Sequence, residues 1–198
     1  MKKSLLIVFI TLLFDQSLKF WIKMHMTLGQ EMHIAGNWFI IHFTENNGMA
    51  FGMQFAGDYG KLFLSIFRII AVILIAYFLF RVTRNKTSNG FIISMSLILA
   101  GAVGNILDSA FYGLLFSEST YFDVARFMPA GGGYSSFLHG KVVDMFYFPI
   151  LHGNYPSWVP FWGGQDYIFF RPVFNVADSA ITVGVILLLF FQGSVSKK

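Results

Sequence analysis

Asp15, Asp108 and Asp178 each stand in or beside a long apolar stretch, and Asp144 follows the apolar pair Val142-Val143. A charged acid near the centre of a membrane helix costs about 2.5–3.5 kcal/mol on insertion scales, so acids kept there need a partner or a task. Asp15 and Lys19 are spaced i, i+4 on one helical face and can pair. A neutralising ion pair and a direct ligand role are both open to them. Asn105 and Asp108 lie one turn apart, as do Asn175 and Asp178, so each amide can support its acid. Neither Asp144 nor Asp178 has an adjacent Lys or Arg. Two carboxylates that meet without a basic partner share a proton, because both cannot easily ionise at short range. Such a pair can activate water as base and protonate a leaving amine as acid. The other reading is that the two acids never meet and are structural.

Other chemistries find less support. The chain has no Cys, which excludes thiol nucleophiles, thiolate metal sites and disulfides. Its five His residues (25, 33, 42, 139 and 152) are scattered without an HExxH pattern, and no GxSxG occurs. No metal and no cofactor is expected. Gly101 and Gly104 read as helix-packing positions, where small residues let backbones approach.

The elements that must position these residues follow from composition. Of 198 residues, 56% are hydrophobic and only 12% are charged, against roughly 25% charged in soluble domains. That excludes disorder and an ordinary soluble fold. Four apolar stretches, at about 4–23, 62–80, 91–112 and 172–192, approach the ~20 residues that cross a bilayer core. Lys2, Lys3, Arg81, Arg84, Lys86, Lys197 and Lys198 flank these stretches without intervening acids. The positive-inside rule then puts both termini and the 81–90 link in the cytoplasm. The net charge of +4 resides at helix ends rather than on a nucleic-acid footprint. Two long links, 24–61 and 113–171, face outward. The Trp38–Thr44 run predicts a short strand, and Asn46-Asn47-Gly48 a turn. Residues 129–165, rich in Gly, Pro and Trp, predict a loop-rich flap at the interface. At ~1.5 Å rise per residue, the acids of spans one, three and four converge on the outer leaflet.

Five ordered blocks carry a family resemblance. They are Asp15-Gln16-x-x-Lys19; Asn46-x-Gly48-x-Ala50-Phe51; Gly101-x-x-Gly104-Asn105-x-x-Asp108; Val142-Val143-Asp144; and Phe174-Asn175-x-Ala177-Asp178. Together they resemble the lipoprotein signal peptidases (signal peptidase II). The resemblance implies an all-α integral membrane protein with four transmembrane helices, a small β-cradle and an outer flap. It implies one membrane-embedded peptidase domain over 1–198, in the bacterial cytoplasmic (inner) membrane, with its active site at the outer leaflet. By the same resemblance, Asp144 and Asp178 are the catalytic pair of an aspartic endopeptidase. Asp15, Lys19, Asn46, Gly48, Gly104, Asn105, Asp108, Asn175 and Ala177 line or brace the site. The implied substrate is a prolipoprotein cleaved before its diacylglyceryl-modified Cys. Membrane lipids and globomycin-type inhibitors are the other implied partners.

One departure is visible. The family commonly carries Arg directly after the span-three Asp, where this chain has Ser109. Arg126 or Arg171 is expected to supply the missing cation. Arg68, six residues into span two, is expected to snorkel or to pair with an acid. The alternative function is a small proton-coupled carrier, since membrane acids also mark ion paths. It predicts acids spread across the membrane depth and often repeats; these acids gather at one side and no repeat is seen.

Overall fold

The computed structural model describes residues 1–47, 57–84 and 87–191, leaving aside the side chains of residues 57, 58 and 152. Gly48, Ala50, Phe51, Lys86, Lys197 and Lys198 lie outside the described residues.

Among the described residues, three helical segments are long and apolar enough to cross a membrane: Lys2–His25, Tyr59–Thr83 and Asn89–Leu115. They correspond to α1 (Lys2–His25), α2 (Gly57–Thr83), and α3 (Asn89–Leu107) with its continuation. That continuation is a π-helical turn, Asp108–Tyr112, and the short α4, Gly113–Leu115. A fourth apolar helix, α5 (Val176–Phe191), has 16 residues. The helices are inside-out relative to a soluble protein. Along α1, Leu6, Phe9, Leu13 and Phe14 are exposed, whereas Ser4, Asp15, Lys19 and Lys23 are buried. Apolar residues outside and satisfied polar groups inside suit hydrocarbon surroundings. Ser4 and Ser96 illustrate this, sharing a 2.8 Å hydroxyl hydrogen bond between α1 and α3.

Two boundaries differ from expectation. Span four was placed from residue 172, but α5 begins at Val176, after strand β6 (Val173–Phe174). Asn175 stops the strand by capping the helix. Its Oδ1 accepts from the Asp178 N–H at 2.9 Å, and its own N–H donates to Asp178 Oδ2 at 3.2 Å. This reciprocal arrangement is a capping box, with Asn and Asp in the Ser and Glu roles. Asp178 therefore sits in the first turn of α5 rather than deep within it. Span three, expected to run to residue 112 as one helix, changes to π geometry at Asp108; such turns are frequent at functional sites.

The all-α description understates the strands. β1 (Glu31–Ala35), β2 (Phe39–Asn46), β3 (Val142–Tyr147) and β6 form one antiparallel sheet in the order β1-β2-β3-β6. The expected strand at 38–44 is present as β2, but β1 folds back on it as a hairpin. Part of the region expected to be loop-rich is a second hairpin, β4 (Leu151–Asn154) with β5 (Asp166–Phe169). Its apolar residues are largely exposed, Trp158 and Phe161 among them, which is why they read as loop in the sequence.

The four-stranded sheet rests on the end of α1 through a core of Ile22, Met26, Ile41, Phe43, Phe116, Val143 and Met145. Lys23, fully buried, anchors β2 by pairing with Glu45 and bonding Ser119. β2 and β3 pair with Thr44 opposite Asp144 and Asn46 opposite Val142.

α3 and α5 approach closely because Gly101 faces the α5 backbone and Gly104 the Ala177 side chain. A Cβ on Gly101 would stand 2.2 Å from the Ala177 carbonyl oxygen. One on Gly104 would stand 2.8 Å from Asp15 Oδ2. The packing role expected of both glycines is present, and Gly104 also leaves space for the Asp15 carboxylate. Gly101→Ala is expected to push the start of α5 away from α3. Overpacking of this kind costs about 1–3 kcal/mol. A lowered Tm in detergent, with activity falling alongside it, would register the displacement; an unchanged Tm would contradict it.

Candidate active site

Lys19 is the hub of the polar cluster. Its ammonium meets three acceptors: Asp108 Oδ2 at 2.8 Å, Asn105 Oδ1 at 2.9 Å and Asp15 Oδ2 at 3.1 Å. An ammonium has three N–H donors, so all are used. Lys19 and Asp108 are fully buried, and Asp15 is 1% exposed. The i, i+4 pairing of Asp15 and Lys19 is present, but the nearer carboxylate is Asp108, at the start of the π turn.

Both acids also hold backbone, Asp15 through its other oxygen and Asp108 through the oxygen that meets Lys19. Asp15 Oδ1 accepts from the Ala177 N–H at 2.9 Å, across 162 residues of sequence. Asp108 Oδ2 accepts from the Val143 N–H at 3.3 Å. Ala177 precedes Asp178, and Val143 precedes Asp144. Each supporting acid thus pins the residue before one of the other two acids, and Lys19 ties the two supports together.

Asn175 and Asn105 join the remaining carboxylates. Asn175 Oδ1 is occupied as helix cap, which turns its Nδ2 toward Asp144 Oδ1 at 2.7 Å. The same Nδ2 lies 3.1 Å from Asn105 Oδ1. Asn105 Nδ2 donates to Asp178 Oδ1 at 2.8 Å. Asn46, from the end of β2, donates to Asp144 Oδ2. Asp144 is 4% exposed, while Asp178 is half-buried. Burial pushes the Asp144 carboxyl up to about 7, with the charge of Asp178 adding to it and the Asn175 hydrogen bond opposing it.

All the expected site residues within the described part of the chain therefore meet. Asp15, Lys19, Asn46, Gly104, Asn105, Asp108, Asp144, Asn175, Ala177 and Asp178 form one connected cluster. Gly48 lies outside the described residues. The expected cation from Arg126 or Arg171 is not what accompanies Asp108: both arginines are exposed, and Lys19 is its ion-pair partner. Ser109 Oγ donates to the Asn105 carbonyl at 3.1 Å, a local helix bond.

Two contributors had no role assigned from the sequence. Gln16 Nε2 reaches Asp108 Oδ1 at 2.9 Å, Asp15 Oδ2 at 3.0 Å and the Gly104 carbonyl at 3.2 Å. Tyr112 donates its hydroxyl to Gln16 Oε1 at 3.2 Å, which orients that amide. Gln16 adjoins Asp15 in the first block, and Tyr112 follows Asp108 by four, the helical spacing that signals a shared face.

The fold and site together define a polytopic membrane protein with four acids and one lysine clustered beside a small sheet. Its structure superposes on a bacterial membrane enzyme solved by the in meso method at 2.3 Å resolution, with a TM-score of 0.64 and 25% identity. That match covers all of this chain and 93% of the other. A second bacterial membrane enzyme, solved by the same method at 1.9 Å, gives a TM-score of 0.62 and 28% identity, covering 96% and 92%. Residues 7–192 match the family described as signal peptidase (SPase) II, and the chain belongs to that family. The lipoprotein signal peptidase of Porphyromonas gingivalis (strain ATCC BAA-308 / W83) is 50% identical over 184 residues, 92% of this chain and 79% of the relative. That of Amoebophilus asiaticus (strain 5a2) is 38% identical over 186 residues, 92% and 74%.

Proposed function

We propose that this chain is the inner-membrane peptidase that removes the signal peptide from prolipoproteins, cutting before the diacylglyceryl-modified Cys with a water activated by Asp144 and Asp178. One observation carries the reading: two carboxylates, linked through Asn175 and Asn105, each follow a residue whose backbone N–H is held by a buried acid.

The pair works with one proton. The ionised carboxylate takes a proton from water as the water oxygen attacks the scissile carbonyl carbon. The protonated partner hydrogen-bonds the carbonyl oxygen as negative charge develops there. Collapse breaks the C–N bond, and the carboxyl that received the water proton delivers it to the leaving nitrogen. The products are a free carboxyl on the signal peptide and an amine on the lipidated Cys. Acyl chains lying among the spans would fix the depth of the scissile bond.

In this reading α5 is the fourth span, and residues 1–198 act as one membrane-embedded domain. The termini face the cytoplasm, because Lys2, Lys3, Arg81 and Arg84 flank the inner ends of the first three spans. The site then lies at the outer leaflet. Membrane lipids surround it, and globomycin-type inhibitors are expected to occupy the cleft between Asp144 and Asp178.

The carboxyl state gives a pH prediction. Asp144 keeps its proton up to about 7 in the folded protein, against an ordinary value of 3.8. Above about 7 the pair loses its shared proton, so kcat/KM is expected to fall on the basic side. Stability linked to this group is present below the unfolded value and lost as pH rises through the folded one. Asp144→Asn should therefore lose less Tm than the wild type between pH 4 and pH 8. A flat kcat/KM across pH 6–9 would contradict the protonation scheme.

The function itself is tested by a gel-shift assay with purified protein and a lipidated prolipoprotein. Shortening that requires the lipid supports the proposal; an intact substrate after incubation with folded protein opposes it.

A further inference from the structure

Asp15 and Asp108 share one cation, Lys19, and the Asp144–Asp178 pair brings two more acids to the same cluster. With one proton on the pair, four acids carry three negative charges, and Lys19 reduces these to two. A working pair with a single negative charge needs one more cation within reach. Neither Asp144 nor Asp178 has one adjacent in sequence.

α2 supplies a polar stripe toward this region. Lys61, Ser65 and Arg68 are spaced i, i+4, i+7, which places them on one face. Lys61 Nζ donates to Asn47 Oδ1 at 3.0 Å, next to the Asn46 that holds Asp144. Ser65 Oγ donates to the Leu138 carbonyl at 3.0 Å. The Leu138 N–H meets the Ala110 carbonyl at 3.4 Å, and the Gly140 N–H meets the Ser109 carbonyl at 2.8 Å, so this loop lies on the π turn that begins at Asp108. Arg68 continues the stripe and is half-buried, whereas Ile66, Phe67 and Ile70 on the other faces are exposed. Asp178, then Asp144 and Asp108, are the charged groups that act on Arg68. The charged groups around it are Asp178 from α5, Asp144 from β3 and Asp108 from the π turn, with Lys19 and Asp15 behind them.

We propose that Arg68 is the second cation of the acid cluster, a positioning residue that acts from α2 on Asp178 and Asp144 and keeps the pair at one shared proton. The proposal rests on the two-acid reading of the site.

The test compares Arg68→Gln and Arg68→Lys with the wild-type enzyme on a lipidated prolipoprotein, with Asp178→Asn as control. Arg68→Gln is expected to lower kcat by about 10–100-fold, with KM nearly unchanged, because the lost charge acts on the reacting centre. Its acid-side limb in kcat should move up by about one pH unit, since an opposite charge nearby favours ionised carboxylates. Arg68→Lys should restore most of the rate and the position of the limb. Where Arg68→Gln folds poorly, Arg68→Met, which keeps an unbranched apolar stem and lacks the charge, takes its place under the same criteria. A wild-type kcat and pH profile in folded Arg68→Gln overturns the proposal. So does a Tm loss with an unmoved profile. If Asp178→Asn keeps full turnover, the two-acid reading fails instead, whatever Arg68 does.

Discussion

Asp144→Asn and Asp178→Asn are each expected to fold, enter the membrane and lose turnover. An amide keeps the shape of the carboxyl, with an NH2 donor in place of one oxygen, but cannot exchange a proton at neutral pH. General acid–base catalysis contributes about 10²–10⁴-fold per group, and loss of either member disables both roles because they pass one proton between them. Folding is expected to survive. At Asp144, substitution removes a buried ionisable group next to another acid; the new amide can set its oxygen against Asn175 Nδ2, and Asn46 can turn its own amide to accept from the new NH2. At Asp178, the substituted side chain can still accept the Asn175 N–H and complete the helix cap. Steady-state cleavage with Tm measured on the same preparations checks this. Retained turnover in either variant removes that residue from the pair.

Lys19→Met is expected to fail differently, through stability as well as activity. The ammonium holds Asp15 and Asp108, and these two acids hold the Ala177 and Val143 N–H groups. Removing one partner of a buried ion pair costs about 3–5 kcal/mol, because the remaining charge stays buried without compensation. Here two acids are left at less than 2% exposure. They would repel each other, and one would take up a proton and turn away from its backbone partner. The starts of α5 and β3 would then drift relative to each other, separating Asp144 from Asp178. The expected result is a large Tm loss and no measurable cleavage. Lys19→Arg is expected to recover only part of the stability, since a planar guanidinium cannot place three donors as an ammonium does. A Lys19→Met protein with wild-type Tm would show that the hub is dispensable.

Much of the site was legible because intramembrane acids are costly and therefore conspicuous. Asp15, Asp108 and Asp178 stood out against apolar runs, and their estimated depths agreed without any knowledge of tertiary contacts. Lys19 was legible as a partner of Asp15 through helical spacing, but its closer contact to Asp108 depends on how α1 packs on α3, which spacing does not encode. Asp178 was expected inside a span because Val173-Phe174 is as apolar as the helix that follows; hydropathy does not distinguish a short strand from a first helical turn. The cap at Asn175 carried that information locally. Arg126 and Arg171 were expected near Asp108 because they are the arginines of the long 113–171 link, yet both are exposed. Arg68 lay one helix away, and only the turn of α2 brings its charge toward Asp178. The β4–β5 hairpin was hidden for a different reason: its Gly, Pro and Trp content resembles loop, and its pairing is set by backbone register rather than by a buried face.

The most direct test of the account is intact-mass analysis of the products formed from one prolipoprotein in lipidated and unlipidated form. The account predicts a single cut in the lipidated substrate, yielding a mature fragment that begins at the diacylglyceryl-modified Cys and a signal peptide with a free carboxyl. The unlipidated form should remain whole, and Asp144→Asn should produce neither fragment. Cleavage at other positions, equal cleavage of both substrates, or the same fragments from Asp144→Asn would contradict it.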